Sequence, residues 1–286
     1  MTLSHPIIDM RCRPAFLHRF FGAEPGTPEF ETVRWMNRRV GSRDIDHFTR
    51  APNAAALAAE LAAAGITKAV VVARSTPTVR ISNAAVADVV AASGGRLIGV
   101  ASVDPQERGA AAVDEARHAV QTLGLAGVNL DAGFYATPLR ADDDQLMPLY
   151  ALCAELGVPA FVMSGPTTPD LRFNDPLAID VVARTFPALK IVCCHGFYPN
   201  IDGMLAVAFR HENVFVSPDM YIFAPGAGRY VEAANGFLQN QLLFGTSYPF
   251  RPIAQSVADF QTIGLTPAAI EHAMAINPAR VLGLSG

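Results

Sequence analysis

The chain has 286 residues, 51% of them hydrophobic and 17% charged, with a formal net charge of −4. That size and apolar content can bury one large core, and they match a single α/β barrel domain. The acidic balance argues against nucleic acid as a partner, because phosphate binding needs a basic surface. No apolar run is long enough to span a bilayer, and MTLSHPIIDM lacks the basic-then-apolar order of a secretory signal. Cys12, Cys153, Cys193 and Cys194 form no CxxC pair and no regular framework. A cytoplasmic, reducing setting is therefore expected, with no membrane partner.

Taken in chain order, β-branched runs predict strands at 5–13, 68–74, 97–104, 127–131, 160–164, 190–195, 213–217 and 242–246. Amphipathic patterns predict helices between them at 54–64, 83–92, 110–123, 143–156, 176–186, 201–210 and 229–238, with two more at 253–263 and 268–275. Asn53 is placed to cap the first of these and Gly65 to end it, while Asp142–Asp144 put negative charge near a positive helix end. Eight strand–helix alternations fit a closed (β/α)8 TIM barrel better than an open sheet, and predict one domain over 1–286. The segment 15–52 breaks the alternation. It carries Phe16, Phe20, Phe21, Phe30, Trp35 and Phe48 among arginines and prolines. Lying after the first strand, it is expected at the barrel mouth, as a lid or pocket wall or as an insertion packed on the barrel or a partner subunit. A homo-oligomer is compatible with this composition.

Chemistry in such barrels sits at the C-terminal ends of the strands. The first strand ends Asp9-Met10-Arg11-Cys12-Arg13, and period-two alternation puts Asp9, Arg11 and Arg13 on one face and Met10 and Cys12 on the other. Two cations at i and i+2 lie roughly 7 Å apart and repel by about 2 kcal/mol at an effective dielectric near 20. An anion should neutralise them: either Asp9, Asp131 or Asp219 in an internal network, or a carboxylate, phosphate or enolate-like substrate held by bidentate contacts. His195, at the end of the sixth strand, suits acid–base chemistry or, equally, a buried and inert hydrogen-bonded role. Ser247, Tyr248, Asn129, Arg172, Asp219 and Arg251 follow or end strands and are candidate substrate contacts, each with an ordinary loop role as its alternative. Cys193 and Cys194 read as small apolar strand fillers. His5, His18, His47, His118, His211 and His272 show no metal-ligand spacing.

IIDM at the first strand, VDP after the third, GVNL at the fourth, LGVPAFV into the fifth, LKIVCCHG at the sixth, LLFGTSYPF at the eighth and NPARVLGL at the tail occur in a telling order. With them the chain resembles the amidohydrolase superfamily, in the branch that includes aminocarboxymuconate-semialdehyde decarboxylase and resorcylate-type decarboxylases. That resemblance implies a divalent metal held by an IDxHxH pair, two further histidines and an eighth-strand aspartate. In this sequence those positions read Arg11, Arg13, Met163, His195 and Ser247, so only His195 matches. Guanidinium offers no lone pair to a metal, and thioether and neutral hydroxyl are poor zinc ligands.

Three functions follow as expectations. The first is a hydrolase or carboxy-lyase for a small anionic organic acid or lactone, with no metal cofactor, in which Arg11 and Arg13 hold the anion and His195 moves a proton. The second keeps zinc or another divalent metal on His195 joined by Asp9 or Asp219. The third is a non-catalytic protein that binds an anion or a protein partner.

Overall fold

The computed structural model describes residues 6–22 and 24–284. Its strands are β1 (Ile7–Cys12), β2 (Ile66–Val72), a short antiparallel pair β3 (Arg74–Ser75) and β4 (Arg80–Ile81), then β5 (Leu97–Ser102), β6 (Val128–Leu130), β7 (Ala160–Val162), β8 (Ile191–Cys194) and β9 (Val214–Ser217). One parallel sheet runs β1-β2-β5-β6-β7-β8-β9, each strand beside the next in sequence. The β3–β4 hairpin is an addition that no periodicity announced.

The eighth strand expected at 242–246 is an irregular segment, and it closes the barrel through single bonds. Leu243 N donates to Val216 O at 2.9 Å, Met10 N to Phe244 O at 2.9 Å, and Ser247 N to Arg11 O at 2.8 Å. Isolated parallel bridges join Val216 to Leu242 and Cys12 to Tyr248. Asp9 reinforces the closure. Its Oδ1 accepts from Thr246 N at 2.9 Å and its Oδ2 from Thr246 Oγ1 at 2.6 Å.

Alternation along the strands sorts the apolar side chains into two cores. Val70, Val72, Val100, Phe161, Val192 and Phe215 fill the barrel interior, whereas Ala69, Val71, Ala101, Val162, Ile191 and Val214 pack outward against the helices. β1 departs from simple alternation. Its pairing with β2 shifts between Asp9 and Cys12, so Met10 joins the interior while Cys12 joins the outer core. A bulge of this kind re-aims the side chains beyond it.

The helices are α1 (Pro28–Arg39), α2 (Ala54–Ala63), α3 (Asn83–Ala92), α4 (Pro105–Arg108), α5 (Ala111–Gln121), α6 (Met147–Leu156), α7 (Leu177–Thr185), α8 (Ile201–Arg210), α9 (Gly228–Ala234), α10 (Ile253–Gln261), α11 (Pro267–Glu271) and α12 (Asn277–Leu282). Asn53 Oδ1 caps α2 by accepting from Ala56 N at 2.9 Å, and Gly65 follows with φ +77°. α6 starts at Met147 rather than 143, leaving Asp142–Asp144 in the preceding turn. None of the helices is long and apolar enough to cross a membrane, among the described residues.

Segment 15–52 contains α1 between two short 3-10 turns and is tied to the stretch after the eighth strand. Asn37 Nδ2 donates to Pro249 O at 3.1 Å, Ser42 Oγ to Phe250 O at 2.9 Å, and Gln255 Nε2 to Gly41 O at 2.8 Å. Arg251, only 3% exposed, lies under a Phe223 ring at 3.9 Å, donates to Val40 O at 2.5 Å and pairs with Asp259. Removing it takes the buried donor from the Val40 carbonyl and one of the partners of Asp259, which keeps Arg43 and Gln255. Arg251→Ala is expected to cost about 2–3 kcal/mol in urea unfolding. It should also speed native-state trypsin cleavage within 15–52, and unchanged proteolysis would show that the clamp does not hold the segment.

Candidate active site at the barrel mouth

The ends of β1, β7, β8, β9 and the closing segment bring Arg11, Arg13, Met163, His195, Asp219 and Ser247 to one buried cluster. Arg11 is 1% exposed and Arg13 3%. Arg11 Nη1 donates to Cys194 Sγ at 3.2 Å and its Nη2 rests against Met163 Sδ. Arg13 Nη2 lies 2.9 Å from His195 Nε2, and its guanidinium sits 5.8 Å from the Phe21 ring centroid and 5.6 Å from that of Phe250. Among the described residues neither guanidinium has a carboxylate in ion-pair range. Asp9 is engaged by Thr246, and Asp131 is engaged by Arg74 Nε at 3.0 Å.

Asp219 turns to His195. Its Oδ2 accepts from His195 N at 3.2 Å and stands 3.0 Å from Nδ1, in ion-pair range though off the axis of a hydrogen bond. Its Oδ1 accepts from Ser217 Oγ at 2.5 Å. Guanidinium has only donors, so the His195 nitrogen facing Arg13 must be the bare one. The imidazole proton therefore sits on Nδ1, toward Asp219.

Buried polar atoms without a hydrogen-bond partner among the described residues include Arg11 Nε, Arg13 Nη1 and Ser247 Oγ here, and both amide atoms of Asn129 on β6. Unmet groups of this kind are costly in a closed core and are natural contacts for a ligand. Strain gathers at the same strand ends. His195 has φ 61°, Phe197 57°, Asp219 55° and Ser247 53°, each left-handed without being glycine. Such residues cost about 1–3 kcal/mol each and cluster where function holds them.

Burial sets the protonation states, with neighbouring charge second. The Asp9 carboxyl is pushed up to about 7 by burial against three donated hydrogen bonds. His195 is pushed down to about 4, chiefly by burial and further by Arg13 and Arg11, with Asp219 opposing. Arg13 falls well below the usual arginine range through burial and then the charges of Arg11 and Arg74. Burial alone would raise Asp219, but His195, Arg11 and Ser217 together hold it below the ordinary aspartate range.

Other candidates lie elsewhere. Tyr248 is buried in the outer core, its hydroxyl donating to Phe48 O at 3.3 Å and its ring against His47. Arg172 pairs with Asp170 on the surface, its side chain 84% exposed. Arg251 holds the α1 segment, as above. Sequence reasoning missed Tyr221, whose ring meets His195 edge-on at 5.3 Å, and Ser164, whose hydroxyl donates to Cys194 O at 2.5 Å and accepts from Phe197 N at 3.0 Å. Its place just past β7 was the one available signal for Ser164, since alternation would turn it outward with Val162, and none existed for Tyr221.

The amidohydrolase family matches over residues 38–284. The chain belongs to the amidohydrolase family. Among solved structures it is similar to an uncharacterised TIM-barrel protein from Bordetella bronchiseptica, at 33% identity and TM-score 0.84, covering 97% of this chain and 98% of that one. It shares its fold with a 2,6-dihydroxybenzoate decarboxylase from Rhizobium, at 15% identity and TM-score 0.69, covering 100% of both chains. A probable 2-pyrone-4,6-dicarboxylic acid hydrolase from Acinetobacter baumannii is similar at 12% identity and TM-score 0.66, covering 97% of this chain and 99% of that one. No curated protein sequence matches the chain.

The divalent metal that family resemblance implies does not fit the residues present. A guanidinium occupies the space between Met163 and Cys194, and a second one covers the His195 lone pair. Among the described residues no group of three or more His, Cys, Asp or Glu side chains is placed to hold a metal ion.

Two outcomes follow. A Cβ on Gly245 would collide with Asp219 Oδ1 and come within 2.9 Å of Arg11 Cβ. Gly245→Ala is expected to destabilise the fold by about 1–3 kcal/mol in chemical denaturation, the usual cost of overpacking. The second concerns pH. Asp9 at about 7, above its ordinary 3.8, stabilises at low pH, and that contribution is lost as pH rises through this window. His195 at about 4, below its ordinary 6.5, contributes stability above 6.5 that is lost as pH falls toward 4. The two offset each other. Relative to the parent, Asp9→Asn should lose stability more steeply on acidification and His195→Asn less steeply, and parallel pH–stability curves would contradict both shifts.

Proposed function

We propose that this amidohydrolase-family protein is a hydrolase or carboxy-lyase acting on a small anionic organic acid or lactone, without a divalent metal. The reading rests on one observation: two buried guanidiniums, with no carboxylate in ion-pair range among the described residues, converge beside a neutral histidine. A substrate carboxylate would supply the missing charge and two acceptors that match the guanidinium fork. Asn129 and Ser247, whose side-chain polar atoms lack partners among the described residues, add neutral contacts. Similar structures hold 2,6-dihydroxybenzoate and citric acid, both small acids of this kind.

Arg13 competes with any proton for His195 Nε2. An anion that engages Arg13 draws it off the imidazole and frees a base whose other nitrogen faces Asp219. As charge develops on the substrate, Arg11 stands ready in a dry site where its field is little screened. Asp219 then acts by orienting His195, and Tyr248, Arg172 and Arg251 take structural or surface roles.

A second reading, a divalent metal on His195 with Asp219 or Asp9, is favoured by the manganese in a similar dihydroxybenzoic acid decarboxylase from Polaromonas. A third, an anion-binding protein without catalysis, shares the arginine pair. Elemental analysis of protein purified without added metal separates the first two. Assays over lactones and aromatic carboxylates should show turnover that survives EDTA. Arg11→Ala and Arg13→Ala should each raise KM roughly 10–100-fold, and His195→Asn should lower kcat by about 10²–10⁴. Activity lost to EDTA and restored by zinc or manganese would sink the metal-free reading, and ligand binding without turnover would favour the third.

A further inference from the structure

A cavity of about 440 Å³ opens between α1 and the loops that follow β7, β8 and β9. Trp35 and Arg39 of α1 form one wall, and Thr167, Tyr198, Tyr221 and Pro225 face them. Its size suits a small organic ligand. Two features narrow the chemistry. The first is aromatic surface: Tyr198 and Tyr221 stack at 5.2 Å with 4° between their planes, and Trp35 is still 43% exposed. The second is charge: Arg39 stands 4.6 Å over the Trp35 ring and has no ion pair with any described residue. A lone guanidinium above an open indole calls for a planar ligand that carries a negative group.

We propose that this cavity binds a planar aromatic carboxylate, its ring against Trp35 and its carboxylate on Arg39. Tyr221 connects the cavity to the buried cluster, since the ring that lines the cavity also meets His195 edge-on at 5.3 Å. The cavity is thereby an antechamber that selects aromatic acids before they reach Arg11 and Arg13. The antechamber role rests on the reading of the buried arginines as an anion site, whereas binding in the cavity does not.

Trp35 is the single tryptophan of the chain, so its fluorescence reports on this cavity alone. The test is a titration of the full chain with benzoate, excited where tyrosine does not absorb. Cyclohexanecarboxylate serves as the charged control without a ring, and benzyl alcohol as the ring without charge. Saturable quenching by benzoate is expected, with both controls weaker by at least about fivefold. Arg39→Ala, on an exposed helix face, should weaken benzoate about tenfold, and Arg39→Lys should recover part of that loss. Arg11→Ala should leave the titration unchanged. Quenching that is absent, indifferent to Arg39, or abolished by Arg11→Ala would overturn the proposal. Intact quenching in a protein whose Arg11 and Arg13 variants bind and turn over like the parent would overturn only the reading of the buried site.

Discussion

Two positive charges buried side by side, with no carboxylate in ion-pair range among the described residues, govern the mouth of this barrel. Burying even one unpaired guanidinium is expensive, and two raise each other's cost. The chain meets that cost with weak partners. Sulfur atoms of Cys194 and Met163 take Arg11, two phenyl rings flank Arg13, and a histidine lone pair takes one of its donors. Thiol, thioether and ring faces are poor substitutes for a carboxylate. The guanidiniums are held in place with Arg11 Nε and Arg13 Nη1 left unmet among the described residues.

The surrounding frame keeps stronger acceptors from relieving that imbalance. Asp9 is engaged by Thr246 and the Arg11 backbone, Asp131 by Arg74, and Asp219 by Ser217 and His195. Each of these three carboxylates thus has hydrogen-bond partners other than the two guanidiniums. Left-handed backbone at His195, Asp219 and Ser247 holds three strand ends in conformations that a relaxed loop would abandon. The α1 segment, fastened to residues 249–259, then closes one side of the mouth and leaves the side facing the loops after β7, β8 and β9 to the cavity.

Much of this was legible in the sequence, and the exceptions have physical causes. Hydrophobic alternation located the barrel strands, because parallel strands buried on both faces read as short β-branched runs. Helix ends marked by Asn53 and Gly65 were equally plain, since capping is local chemistry. The arginine pair and His195 stood out because charged groups at the ends of apolar runs are rare. Alternation misplaced Met10 relative to Cys12, since a bulge depends on the neighbouring strand and leaves no mark in its own residues. Partners were the least legible. Nothing in the sequence tied Arg11 to sulfur rather than to Asp219, or brought Tyr221 across to His195, because those meetings are set by the packing of segments far apart in the chain.

That distance has a consequence for how the protein comes to exist. The clasp between Asp9 and Thr246 joins residues 237 positions apart, and the bond from Ser247 N to Arg11 O spans nearly the same interval. Closing a loop of that length costs entropy before any contact repays it, which places this step late in folding. Until the closing segment arrives, β1 has one unpaired edge and Arg11 lacks the backbone that fixes it. During synthesis the remaining strands can pair as they emerge, one beside the next, while the chemistry-bearing mouth waits for its last piece. Arg11 and Ser247 therefore reach their final places together, when that piece docks.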